Sequence, residues 1–88
     1  MDKKEIIKSR LFELEKLQLE LYGKDFLLTW ENSLDNLKAL VAVAEILQSL
    51  HWEKKPFRIF DYGLAVSIFR DNSTRTRFSF ASAVNALG

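Results

Sequence analysis

The densest set of groups able to bind an anion lies in the run Ile68-Phe69-Arg70-Asp71-Asn72-Ser73-Thr74-Arg75-Thr76-Arg77-Phe78. Ser73, Thr74 and Thr76 supply hydroxyl donors, and Arg75 supplies a planar guanidinium fork matched to phosphate oxygens. An apolar stretch precedes the run and a helical pattern follows it. The run therefore opens a helix, where the first backbone amides lack intrahelical partners and the dipole end is positive. Arginine in a first helical turn opposes that dipole at a cost of about 0.3–1 kcal/mol each unless an anion sits there. Arg75 and Arg77 both break this local rule, and such breaks often mark functional sites. The alternative makes Ser73 an ordinary helix cap and the two arginines solvated surface charges. A phosphate or a carboxylate is the ligand class that suits these donors. The Gly-x-x-x-x-Gly-Lys loop of nucleoside triphosphate sites is absent.

Other chemistries are excluded on composition. The 88 residues contain no cysteine, which removes thiol nucleophiles, zinc ribbons and disulfide scaffolds. His51 is the only histidine. It sits at the polar end of a helix, where it complements the dipole or faces water, and with scattered acids it builds no metal site. No metal is expected. Thirteen Lys+Arg against twelve Asp+Glu give a formal charge of +1, so no nucleic-acid partner is expected. No run reaches the length of a membrane span and the N-terminus is not a secretory signal, so the expected location is cytoplasmic.

Around the anion-binding run, the hydrophobic spacing sets out the elements. Ile7, Leu11, Leu14, Leu17 or Gln18, and Leu21 recur at steps of three and four, predicting an amphipathic helix over residues 1–22 that Gly23 stops. Residues 1–24 form a leading helical segment in this reading, and 25–88 the body. Phe26–Trp30 is apolar but too short to type. Ser33 caps a second helix, with Asp35 in its first turn; its stripe is Leu37, Leu40, Val41, Ala44, Leu47 and His51, and Pro56 follows its end. Phe57–Phe60 alternates, as an edge strand or an extended arm would. Gly63–Phe69 is nearly continuously apolar, which predicts a strand buried on both faces in a parallel sheet flanked by helices. Ser73–Leu87 returns to helix, with Gly88 as its C′ residue. The expected fold is the front part of a three-layer, parallel-sheet α/β domain, helix-rich in this stretch. One such strand needs neighbours, so the chain is expected to be the front of a larger domain.

Ser73-Thr74-Arg75-Thr76-Arg77, between a strand-like run and a helix, resembles the carbamoyl-phosphate-binding signature of the aspartate and ornithine carbamoyltransferases. The resemblance extends back to Asp25. It implies an α/β carbamoyl-phosphate domain in which Ser73, Thr74, Arg75 and Thr76 hold the phosphate. It further implies that Arg75 and Thr76 act catalytically, by polarising the carbamoyl carbonyl, with no metal or organic cofactor, and that Arg77 supports the loop. The implied partners are carbamoyl phosphate and a small amine, in a homotrimer or a multiple of trimers. Asn72 stands where most members have Pro, and Ala81 where many have Glu. Those departures resemble a side branch whose amine substrate is unassigned, and they raise the alternative of a catalytically silent homologue serving anion binding or assembly. A third reading has residues 1–22 drive oligomerisation, with the basic loop incidental.

Overall fold

The first helix, α1, spans Lys3–Glu15 and starts at Asp2, whose carboxylate accepts the Glu5 amide at 2.9 Å. The computed structural model describes residues 2–61, 63–70 and 73–88. Glu5 adds an acid to the first turn, where it complements the positive dipole end.

The predicted extension of α1 to Tyr22 does not occur. Beyond Lys16 the backbone amides find better acceptors elsewhere. Gln18 N–H donates to Asp35 at 3.0 Å and Glu20 N–H donates to the Asn36 side chain at 3.1 Å. Those tertiary bonds replace the i→i−4 bonds that would continue the helix. Gly23 does adopt positive φ (71°), but in a later turn closed by Lys24 N–H on the Leu21 carbonyl at 3.1 Å. Phe26–Trp30 leads into a single 3-10 turn, Thr29–Glu31.

The second helix, α2, runs over Leu34–Trp52, close to the predicted span. Ser33 accepts the Asn36 amide at 3.1 Å, and Asp35 sits in the first turn, as the sequence predicts. Its C-terminus closes in a Schellman arrangement: Lys55 N–H reaches the Leu50 carbonyl at 2.9 Å and Lys54 N–H the His51 carbonyl at 3.1 Å. Lys54 takes the left-handed position (φ 56°) that glycine usually fills.

α1 lies antiparallel to α2. The Lys3 ammonium stands 3.9 Å from the Trp52 ring centroid at one end, and Gln18 meets Asp35 at the other. Between them Arg10 bridges Glu13 and Glu45. The buried stripe of α2 is Asn36, Ala39, Ala42, Ile46 and Ser49, not the predicted one. Leu40 and Val41 are half exposed. Apolar side chains lie on every side of α2 with polar ones interspersed, so periodicity alone cannot select its buried face. Apposition of α1 selects the face with small side chains, which allow close approach.

Residues Met1–Lys55 form one compact unit and Pro56–Gly88 a second. In the second, α3 spans Thr74–Leu87, and Phe57–Phe60 returns to its C-terminal end. Phe60 N–H donates to the Leu87 carbonyl at 3.0 Å and the Arg58 guanidinium to that of Asn85 at 3.3 Å. These bonds satisfy carbonyls that a helix end leaves open. Gly88 (φ 99°) follows α3, and a Cβ there would collide with the Phe60 carbonyl.

The expectation of a parallel-sheet α/β fold is corrected. Among the described residues there is no strand, and every regular element is helical. Leu64, Val66 and Ile68 of the expected buried strand are 91%, 72% and 92% exposed. The residue types suit a sheet interior, but a strand requires a neighbour for its amides and carbonyls, and among the described residues this segment has none.

Candidate functional site

The Ser73–Arg77 run sits at the start of α3, where the sequence pattern predicts a helix to open. Ser73 immediately precedes the helix, Thr74, Arg75 and Thr76 are its first three residues, and Arg77 is the fourth. Ser73 is half-buried and the other four are exposed. The backbone closes normally behind them, with Arg77 N–H on the Ser73 carbonyl at 3.0 Å. The amides that precede Arg77 in the helix face outward from its N-terminus without i→i−4 acceptors.

The three α-helices differ at this end. α1 and α2 have side-chain caps, Asp2 and Ser33, and acids in their first turns, Glu5 and Asp35. α3 has neither: the Ser73 side chain makes no capping bond, and its first turn carries no acid. Ser73 has φ −142° and ψ 71°, away from the extended geometry of the two capping residues. The ordinary-cap alternative for Ser73 therefore finds no support in its geometry. Among the described residues, no hydrogen bond or ion pair engages the Ser73, Thr74, Arg75 or Thr76 side chains. A bare dipole end, three hydroxyls and a guanidinium make an electropositive rim for a polyoxyanion.

Arg77 turns away from this group. Its guanidinium carbon lies 5.1 Å from the centroid of Phe69, the residue that ends the apolar run. An aromatic eight positions before an arginine is the one trace of that contact in the sequence. Asp71 and Asn72, the latter standing where the resembled family carries Pro, lie outside the described residues. Ala81 is exposed on α3.

Elsewhere, a groove of about 700 Å³ between α1 and α2 is lined by apolar residues including Leu17, Leu37 and Val41 and by charges of both signs, Arg10, Lys16 and Lys38 with Glu13 and Glu45. No residue of the anion-binding run lines it. Among the described residues, no three His, Asp or Glu side chains gather as a metal site. No helix among them is long and apolar enough to cross a membrane.

Residues 24–88 match the family "Aspartate/ornithine carbamoyltransferase, carbamoyl-P binding domain". The chain is 51% identical over 76 residues to the protein named "Putative carbamoyltransferase YgeW" of Escherichia coli K12, covering 86% of this chain and 19% of that protein. It is 38% identical over 65 residues to the aspartate carbamoyltransferase catalytic subunit of Leptospira biflexa, covering 74% and 21%. Against the ornithine carbamoyltransferase of Oceanobacillus iheyensis it is 33% identical over 76 residues, covering 86% and 24%. The chain thus spans about a fifth of the length of the curated relatives it matches. No solved structure matches it significantly.

Proposed function

The chain belongs to the aspartate and ornithine carbamoyltransferase family, and from that premise we propose that the whole protein transfers a carbamoyl group from carbamoyl phosphate to an amine of an amino-acid-like acceptor. Residues 25–88 contribute the first portion of its carbamoyl-phosphate domain, and residues 1–24 lead into it. The observation that carries this reading is the uncapped, acid-free start of α3, bearing Ser73, Thr74, Arg75 and Thr76 within the family match.

In this mechanism the amides at the start of α3 and the Ser73, Thr74 and Thr76 hydroxyls receive the phosphate oxygens. Arg75 places its fork across phosphate and carbonyl, and with Thr76 it draws electron density onto the carbonyl oxygen. A neutral amine attacks the carbonyl carbon through its lone pair. The tetrahedral oxyanion collapses, the bond between carbon and the phosphate oxygen breaks, phosphate leaves, and the amine loses its proton. Donors fixed in advance lower the barrier because they do not reorganise as charge develops. Arg77 supports the loop from behind. The acting form in this reading is a cytoplasmic homotrimer, or a multiple of trimers, with sites shared between subunits and a place in amino-acid metabolism.

Calorimetry of the whole protein with carbamoyl phosphate tests the site. Arg75→Ala is expected to weaken binding by about ten- to a hundred-fold, the worth of a charge-assisted hydrogen bond in this setting. Equal affinity in both proteins would remove the role assigned to Arg75. Ala81, exposed where many family members carry Glu, favours the silent-homologue reading as the second. Phosphate release across a panel of amines separates the two: turnover with any amine retires the silent reading, and binding without turnover on all of them supports it.

A further inference from the structure

α1 precedes residues 24–88, the stretch that matches the family. One of its faces packs on α2, where Arg10 meets Glu45, and the opposite face is open. On that open face Lys8, Leu11, Phe12 and Glu15 fall within one narrow stripe, because positions three and four apart on a helix are neighbours. All four are exposed. Leu11 is 49% exposed, and Phe12 is 59% exposed even with the Lys16 ammonium 4.1 Å from its ring centroid. Among the described residues no hydrogen bond or ion pair engages the Lys8 or Glu15 side chain. A surface helix normally turns polar residues outward, so two large apolar side chains at the centre of its outer face call for a cover.

The order of the stripe says what the cover is. Lys8 and Glu15 stand at equal distances on either side of the midpoint between Leu11 and Phe12. The stripe is therefore complementary to itself across a two-fold axis through that midpoint. An antiparallel copy sets Leu11 against the partner's Phe12 and Lys8 against the partner's Glu15, and symmetry makes each contact twice. A parallel copy would oppose lysine to lysine and glutamate to glutamate. We infer that this face of α1 docks antiparallel on the same face of α1 in a second copy of the chain. Two apolar residues from each chain cover less than the roughly 1,200 Å² of a stable interface. The contact thus depends on concentration, and it gains strength where an assembly repeats it. The inference stands independently of the phosphate site, which lies in the other compact unit.

Sedimentation velocity of the whole protein over a concentration series, in dilute salt, tests it. The unaltered protein is expected to reach species with an even number of chains, six or a larger even multiple if its base is a trimer. Lys8→Glu leaves two acids on the stripe and Glu15→Lys two bases. Each is expected to weaken self-association by about ten-fold or more, as two attractive pairs become repulsive. The double variant Lys8→Glu/Glu15→Lys should recover it. An equimolar mixture of the two single variants should also associate, since each then meets its opposite charge. Circular dichroism checks that each variant folds; Leu11→Gln, which keeps both charges, replaces one that does not, with the same expected loss. A mass unaffected by the single variants at every concentration overturns the inference and would mean that the stripe is open or is covered within its own chain. Loss in both single variants with recovery in neither the double variant nor the mixture also overturns it, because the partner face would then be something other than α1.

Discussion

Arg10 shows how much a single charged side chain decides in a chain with so small a core. The spacing of apolar residues puts Leu11 on the contact face of α1, yet Leu11 is half exposed and Arg10 faces α2. Arg10 donates to both Glu13 and Glu45. The hydrogen bond to Glu45, with the charges of Glu45 and Glu13, holds its guanidinium above an already high ordinary pKa. A raised pKa stabilises the fold at every pH below the ordinary value and ceases to do so only as pH climbs through the raised one. For arginine that window lies in strongly alkaline solution, so the Arg10 guanidinium itself adds no pH dependence near neutrality. Arg10→Met is expected to lower the melting temperature in dilute buffer, by leaving two carboxylates without their shared partner. The deficit should narrow between about 0.05 M and 1 M salt, as screening shortens from roughly 14 Å toward 3 Å. A deficit independent of salt would assign the loss to packing of the arginine stem. Glu45 lies 35 positions from Arg10, and no local rule connects them. By contrast, the Ser33 cap and the Ser73–Arg77 run were legible because their chemistry lies within one helical turn.

Among the elements, α2 was readable at both ends and α1 at its start alone. Ser33, Asp35 and Pro56 act locally, whereas α1 ends at Glu15 because Asp35 and Asn36 compete for the amides of Gln18 and Glu20. That competition depends on the tertiary approach of two segments. The Schellman closure of α2 supplies an element-scale prediction. Lys54 holds φ 56°, a conformation that costs a residue with a Cβ about 1 kcal/mol relative to glycine. Lys54→Gly is expected to stabilise the chain by up to about 1 kcal/mol, the relief of strain being partly offset by the greater freedom of glycine in the unfolded state. Urea denaturation reads this as a higher midpoint at an unchanged slope. A lower midpoint would mean that the lysine side chain contributes more than its backbone strain takes away.

For the whole molecule, residue types and actual surroundings separate most clearly at Gly63–Phe69. The composition of that segment is that of a buried parallel strand, and among the described residues no strand stands beside it. The same mismatch appears on α2, where Leu40, Val41 and Val43 stay substantially exposed although their residue types suit a core. Sequence records the burial a residue type suits; structure records the burial the available elements supply. Hydrogen exchange on the 88-residue chain makes the difference measurable. The amides of residues 38–50, inside α2 and against α1, are expected to exchange more slowly than unstructured peptide by about a hundred-fold or more, since their opening requires the first unit to come apart. Those of residues 64–68, with no ladder partner and exposed side chains, should exchange within about an order of magnitude of the unstructured rate. Strong protection at 64–68 would show that these amides are paired and would overturn the account of an unpartnered segment. Weak protection across α2 would instead mean that the Asn36, Ala39, Ala42, Ile46 and Ser49 face is too small to hold the first unit closed by itself.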